Sequence, residues 1–381
     1  MSRLHDVAAK GQSVWLDNLT RGLVTSDELR RLMDEDAVTG VTSNPTIFAA
    51  AILGTSDYDD QLRSLVEHDA SVEEAYTALV TADIKSASDV LRPVWKDTGG
   101  ADGFVSVEVS PLLAHDADAT VVEAREWVKR IDRDNVLIKL PATRAGLVAI
   151  EQLTAEGISV NVTLIFSLQR YRAVVEAYLS GLERFLSDGG DLRTVSSFAS
   201  FFVSRVDVEV DRRLRELAAQ AEGTTAARLD ELKGRAGVAN ARAAYGVFGE
   251  LFAGERWEAL AARGARVQKP LWASTGVKDP NYPDTMYVDR LIAPDTVNTM
   301  PESTIRAFQD HGSPDAGPFG ADEIADAHAV LRALDEIGID YDEVTDSILE
   351  REGVDKFIAS FGELTACLES KRDVLRGSQS A

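Results

Sequence analysis

Cysteine is almost absent from this chain of 381 residues, with Cys367 the single example. No intrachain disulfide framework can be built from it, which fits a reducing compartment and predicts a cytoplasmic protein. Cys367 itself falls in a helix-patterned stretch and reads as a small packed hydrophobe rather than a nucleophile. Histidine is scarce too. His5, His68, His115, His311 and His328 show no metal-ligand spacing, so no metal site is expected. The segment His115-Asp116-Ala117-Asp118 reads as the approach to a helix rather than a cation loop. Neither G-x-G-x-x-G nor G-x-x-x-x-G-K-[ST] occurs, which argues against nucleotide chemistry. No uninterrupted apolar run approaches ~18 residues, and residues 1–12 hold no apolar leader core, so no membrane segment or secretory leader is expected. Basic charge is also in deficit: Lys and Arg total 40 against 63 Asp and Glu, for a net charge of −23. Such a surface repels nucleic acid and anionic membrane, and a phosphorylated substrate would need a local basic pocket.

What the chain does contain is ordinary globular composition, 45% hydrophobic and 27% charged, and a regular alternation of elements. Strand-like runs are read at Ser13–Asn18, Val38–Ser43, Phe104–Val109, Val136–Leu140, Ser159–Leu164, Thr194–Val203, Lys269–Ser274 and Val297–Met300. Helical stretches lie between them. Thr25, Ser71 and Thr120 each precede a Glu by three residues, the capping-box spacing, and so predict three helix starts. Eight strand–helix units favour parallel pairing with right-handed crossovers and predict a closed (β/α)8 barrel over residues 1–381. The charged, Ala-rich stretch from about 208 to 266 reads as extra helices between strands six and seven, broken at Gly234 and Gly237. His311, Gly312, Ser313, Pro314, Gly317, Pro318 and Gly320 mark a surface loop, and a helical C-terminal segment follows at about 322–377. Oligomeric state is not legible, because apolar surface and core look alike at this level.

Successive side chains on a strand face opposite ways, so each strand divides into two sets. Val105, Val107 and Val109 oppose Ser106, Glu108 and Ser110; Val160, Val162 and Leu164 oppose Asn161 and Thr163. Trp15 and Asp17 oppose Val14 and Leu16, Thr42 and Asn44 oppose Val41 and Ser43, and Ser200 and Phe202 oppose Ala199 and Phe201. In the fourth strand, Leu137 and Lys139 oppose Ile138 and Leu140. Because helices cover a barrel's outside, the apolar sets should face outward and the others inward. Barrel interiors are usually filled by Val, Ile and Leu. Here Asp17, Asn44, Glu108, Lys139, Asn161, Thr163 and Ser200 would converge near the carboxyl ends of six strands. Left unpaired and dry, such groups cost several kcal/mol each. They predict a wet central chamber, with a satisfied polar core network as the alternative.

Lys139 stands out within that set. A lysine in an apolar strand is rarely buried without compensation, and desolvation favours a neutral, nucleophilic amine over the ammonium. The plain alternative is a lysine that snorkels to water or pairs with a carboxylate. A lysine with two carboxylates in one chamber is equipped for Schiff-base chemistry. The amine attacks a carbonyl, one carboxylate shuttles protons as the carbinolamine dehydrates, and the second accepts a hydroxyl proton during C–C cleavage. The iminium is the electron sink, so no metal or organic cofactor is required.

At these residues the chain resembles the transaldolase family in its longer bacterial form. The resemblance runs through Gly40-Val41-Thr42-Ser43-Asn44-Pro45-Thr46, Val136-Leu137-Ile138-Lys139-Leu140-Pro141-Ala142-Thr143 and Ile158-Ser159-Val160-Asn161-Val162-Thr163-Leu164. It continues through Ser200-Phe201-Phe202-Val203-Ser204-Arg205-Val206-Asp207 and Leu271-Trp272-Ala273-Ser274-Thr275-Gly276. It implies transfer of a dihydroxyacetone unit between sugar phosphates in the pentose phosphate pathway, with Lys139 as Schiff-base residue. It further implies Asp17 as acid/base at the C4 hydroxyl, and Glu108 acting through a water held by Thr163. Asn44 and Asn161 would hold substrate hydroxyls, with Ser200 beside the dihydroxyacetone moiety and Arg205 and Ser274 on the phosphate. Shorter members carry Arg where this chain has Gly276, and Lys278 would supply the missing charge without its bidentate geometry. Two alternatives stand beside this reading. One is a fructose-6-phosphate aldolase, whose relatives carry a tyrosine where this chain has Phe202. The other is a non-catalytic barrel that binds sugar phosphates.

Overall fold

Eight parallel strands close on themselves in chain order: β1 (Gln12–Leu16), β2 (Val38–Val41), β3 (Val105–Glu108), β4 (Val136–Pro141), β5 (Val160–Ile165), β6 (Ser197–Phe202), β7 (Gln268–Ala273) and β8 (Thr296–Met300). β8 pairs with β1 to complete the ring, and helices follow each strand on the outside, the (β/α)8 barrel that the alternation predicts. The structure is a computed structural model that describes residues 2–314 and 318–379; Gly317, assigned above to a loop, lies outside the described residues. Strand ends account for most boundary differences. β1 stops at Leu16 and β2 at Val41, so Asp17 and Asn44 sit just past the carboxyl ends of their strands. β6 starts at Ser197 rather than Thr194 because Leu192–Thr194 forms a 3-10 turn capped by the Asp191 carboxylate.

The two side-chain sets separate as the alternation requires. Val14, Leu16, Val41, Val105, Val107, Ile138, Leu140, Val160, Val162, Ala199 and Phe201 pack into the outer core beneath the helices. Trp15, Phe104, Leu137, Phe198, Leu271 and Val297 pack together inside. Trp15 and Phe104 meet Phe198 with ring centroids 4.7 and 5.5 Å away, forming an aromatic floor. The Trp15 indole N–H donates to Asp102 Oδ1 at 2.8 Å, and the same carboxylate accepts from the Thr39 hydroxyl at 2.8 Å. The indole lies flat across Gly40, where an added Cβ would sit 2.4 Å from the ring. Gly40→Ala should therefore destabilise the protein by about 1–3 kcal/mol through overpacking. Urea unfolding measures this, and an unchanged midpoint would show that the floor is loose.

One strand breaks the pattern. Leu164, placed outward by alternation, has φ of +60° and joins the inner cluster, while Ile165 returns to the outer core. The β5–β6 register shifts between Val162 and Ile165. A bulge of this kind re-aims side chains and is common beside active sites. A branched residue in left-handed backbone costs of order 1–3 kcal/mol and persists only where surroundings enforce it.

Of the three predicted capping boxes, only Ser71 forms one, opening the helix Val72–Asp97 with Glu74. Thr25 ends a short helix, and the helix after it, Glu28–Asp36, starts at Asp27 in left-handed backbone with no side-chain cap. Thr120 lies inside the helix Ala117–Ile131, whose cap is Asp116; the His115–Asp118 segment is thus the helix approach. Asp116 and Thr120 both offer oxygens, and the carboxylate one turn earlier takes the orphan N–H groups.

Four helices separate β6 from β7: Ser204–Ala218, Gly223–Leu232, Ala236–Leu251 and Glu255–Ala261. Gly234, at φ +66°, makes the turn between the second and third. Gly237 is not a breaker, since it lies in the first turn of Ala236–Leu251. Its N–H donates to Asp207 Oδ1 at 2.7 Å, and an added Cβ would lie 2.8 Å from Asp207 Oδ2. The chain ends in the helix Ala321–Glu336, a π-helical turn at Glu343–Ile348 and the helix Leu349–Gln379. That last helix brings Phe357 into the central chamber.

Candidate active site

The carboxyl ends of the strands enclose a chamber of about 240 Å³, the face on which barrels of this kind carry their sites. Its walls include Asp17, Thr42, Asn44, Lys139, Thr163, Ser200, Phe202, Arg205, Ser274 and Lys278. Larger hollows exist elsewhere. One of about 620 Å³ lies between Tyr76, Trp127 and Phe361, but it gathers no lysine or arginine for a phosphate.

Lys139 is 5% exposed, at the open end of β4. Its strand neighbour Glu108 stands directly beside it in the β3–β4 register. The Lys139 Nζ donates to Glu108 Oε2 at 3.1 Å and to the Ser43 carbonyl at 3.0 Å. The snorkelling alternative is therefore excluded, and the pairing alternative is present within the chamber wall. Glu108 sits behind the lysine rather than lining the chamber. Burial pushes its carboxyl pKa up, opposed mainly by Lys139.

Asp17 is held from the opposite side. Its Oδ1 accepts from the Thr42 hydroxyl at 2.7 Å, and Thr42 meets the Thr299 hydroxyl at 2.7 Å. Burial raises the Asp17 pKa, while Lys139, the Thr42 hydrogen bond, Lys278 and Arg205 all pull it back. Both carboxyls are thus held above the ordinary carboxylate range by lost hydration.

Several chamber groups lack protein partners. The buried Thr163 hydroxyl has none, and neither does Arg205 Nη1. Arg205 lies in the first turn of Ser204–Ala218, with the Phe202 ring 5.1 Å from its Cζ and the Phe357 ring at 6.0 Å. Burial lowers its pKa, against which Glu352, Asp17 and Glu108 favour the charge. Asn44 caps the helix Pro45–Gly54, its Oδ1 accepting from the Ile47 N–H at 3.0 Å. Ser274, at φ +57°, meets the Ser204 hydroxyl at 2.9 Å. Beside it Gly276 leaves room, and a Cβ there would be 3.9 Å from the Lys278 ammonium.

Asn161, like Glu108, does not line the chamber. It is fully buried below the chamber, accepting from Ser200 Oγ at 2.7 Å and donating to Ser106 Oγ at 3.0 Å. Among the predicted residues, it supports Ser200 from beneath rather than facing the open space. Conversely, the chamber wall also takes in Thr42, Thr299 and Phe357. Thr42 carried a signal, since it shares the inward face with Asn44. Phe357 carried none, because nothing in a helical C-terminal stretch says which barrel opening it crosses.

Among the described residues, no helix is long and apolar enough to cross a membrane. The family model described as Transaldolase/Fructose-6-phosphate aldolase matches residues 14–368. A protein named Transaldolase 1 from Streptomyces avermitilis is 52% identical over 99% of this chain and 97% of its own. Transaldolases of Acidothermus cellulolyticus and Saccharopolyspora erythraea are 52% and 50% identical, covering 96% and 98% of this chain and 95% and 98% of theirs. With the Lys139–Glu108 pair at the mouth of a closed eight-stranded barrel and a match over nearly its whole length, the chain belongs to the transaldolase family.

Proposed function

We propose that the protein is a transaldolase of the pentose phosphate pathway, acting in the cytoplasm without metal or organic cofactor. It converts sedoheptulose 7-phosphate and glyceraldehyde 3-phosphate to erythrose 4-phosphate and fructose 6-phosphate. The observation that carries this reading is the buried Lys139–Glu108 pair opening into a chamber with an unpartnered arginine nitrogen.

Glu108, its proton affinity raised by burial, takes a proton from the Lys139 ammonium, and the freed amine adds to the ketose C2 carbonyl. A water on the unpartnered Thr163 hydroxyl relays that proton back as the carbinolamine loses water to give the iminium. Asp17 accepts the C4 hydroxyl proton, the C3–C4 bond breaks, and its electron pair flows into the iminium as an enamine. The aldose phosphate leaves and the acceptor aldehyde enters. C3 of the enamine attacks it, Asp17 returns its proton to the new hydroxyl, and hydrolysis frees the ketose.

Arg205 and Lys278 would hold the phosphate, with Ser274 between them. Asn44 would donate to a substrate hydroxyl, and Ser200, braced by Asn161, would flank the dihydroxyacetone moiety. Phe202 offers no hydroxyl with which to activate water, which favours transfer over release of free dihydroxyacetone. Product analysis with and without the acceptor tests this. Steady dihydroxyacetone release at matching rates would overturn transfer in favour of an aldolase.

Lys278→Met gives a second readout. Removing this cation should raise KM for the phosphorylated ketose by roughly tenfold, on the order of 1–2 kcal/mol for a charge-assisted contact. It should also push the Asp17 pKa further up, since Lys278 is one of the charges lowering it. Cleavage needs the Asp17 carboxylate, so the acid limb of kcat/KM should move to higher pH. A limb that stays in place, or moves down, would place Lys278 too far from Asp17 to matter.

A further inference from the structure

The C-terminal helix contributes an aromatic wall to the chamber, and its placement is enforced along its length. Gly353 lets the helix sit directly on Leu164, the residue in left-handed backbone next to Thr163; a Cβ at 353 would lie 2.9 Å from Leu164 Cδ2. The start of this helix and the π-helical turn before it are tied to the beginning of the helix Leu168–Ser187 that follows β5. There Arg170 pairs with Glu350 at 2.9 Å and the N-cap Ser167 Oγ donates to Asp346 at 3.1 Å. On the far side, Thr46 Oγ1 donates to Ser360 Oγ at 2.8 Å and Lys371 Nζ donates to the Ile52 carbonyl at 2.7 Å. Phe357 lies between these anchors, buried, with its ring centroid 5.7 Å from Lys139 Nζ and 6.0 Å from Arg205 Cζ.

We propose that Phe357 is a water-excluding residue that decides whether the Lys139-bound dihydroxyacetone unit is transferred or hydrolysed. The inference rests on the Schiff-base reading above. After cleavage the enamine waits for an acceptor. Protonation at C3 turns it into the dihydroxyacetone iminium. Water then adds at C2, the carbinolamine loses a proton, and collapse releases dihydroxyacetone and the lysine amine. An apolar ring on this side of the nitrogen keeps further water away from the waiting enamine and offers it no hydrogen bond, so C3 is not protonated before the acceptor arrives. The single water on Thr163 still serves the hydrolysis that frees the ketose. The same ring face favours the cation, which exists as ammonium before the reaction and as iminium during it. Phe202 guards a second approach, tilted against Phe166 with ring centroids 5.1 Å apart.

The test is the partition of the covalent intermediate in Phe357→Ala and Phe357→Leu. With fructose 6-phosphate as donor and erythrose 4-phosphate as acceptor, free dihydroxyacetone is measured against sedoheptulose 7-phosphate formed. The alanine variant should raise that ratio about tenfold or more, because the gap admits water to the intermediate. The leucine variant, still apolar and bulky, should stay within about threefold of the parent, as a shielding role requires. A merely structural role would lower both products together and leave the ratio unchanged, which would overturn the proposal. Should the alanine variant fail to fold, Phe357→Val is read in the same way. Borohydride trapping separates the two levels of inference. A Lys139 adduct in the parent with an unmoved ratio in the variants defeats only the role of Phe357. Absence of the adduct in the parent defeats the Schiff-base reading and this inference with it.

Discussion

Lys139→Arg is expected to fold, to keep a cation against Glu108, and to lose turnover by roughly 10⁴-fold or more, as removal of a covalent nucleophile does elsewhere. A guanidinium stays protonated under all practical conditions, so it has no lone pair for the substrate carbonyl. The position tests chemistry rather than folding because the replacement retains the charge that Glu108 and the Ser43 carbonyl receive. Unfolding by urea is expected to shift modestly, since the larger head must fit a site that is 5% exposed. The assay is coupled turnover of sedoheptulose 7-phosphate with glyceraldehyde 3-phosphate. Activity within about tenfold of the parent, where ~1.4 kcal/mol is the whole effect, would rule out Lys139 as the nucleophile.

Asp17→Ala is expected to lower cleavage by about 10²–10⁴-fold, the range for a positioned acid–base group. Formation of the lysine adduct should largely survive. The division follows from placement: Glu108 hydrogen-bonds the lysine, whereas Asp17 is held from the other side by Thr42. The variant should fold, because burial already disfavours the charged form of this carboxyl. Thr42 and Thr299 keep each other as partners once it is gone. Rapid mixing with fructose 6-phosphate followed by reduction would count adduct, and glyceraldehyde 3-phosphate release would count cleavage. Loss of both together would show that Asp17 serves the dehydration step as well, and would overturn the assignment.

The barrel was legible because its code is simple. Eight apolar runs spaced by helical stretches close in chain order, and their two-residue periodicity separates the outer core from the chamber. Lys139 and Glu108 could be read as neighbours-in-waiting because both fall on the inward set near strand ends. What failed was local backbone detail. Alternation cannot anticipate a bulge: it places Leu164 outward, whereas the register shift after Val162 turns that side chain into the inner cluster. Cap spacing could not rank competing oxygens, so Asp116 displaced Thr120. Gly237 looks like a breaker in the sequence because the close approach of Asp207, which makes glycine necessary there, is a tertiary contact. Asn161 shares its face with Thr163 but sits one layer lower, a depth that face assignment alone does not encode. Phe357 arrives from a distant helix and leaves no local trace near the barrel motifs.

Reduction with borohydride during incubation with fructose 6-phosphate, followed by peptide mass mapping, addresses the nitrogen at the centre of this account. Hydride converts a C=N bond to a stable secondary amine, so any imine is recorded where it forms. The predicted result is one mass increase, matching a reduced ketose or dihydroxyacetone adduct, confined to the peptide that contains Lys139 and missing from Lys139→Arg. An unmodified Lys139 peptide in an enzyme that turns over, or label on another lysine, would contradict it.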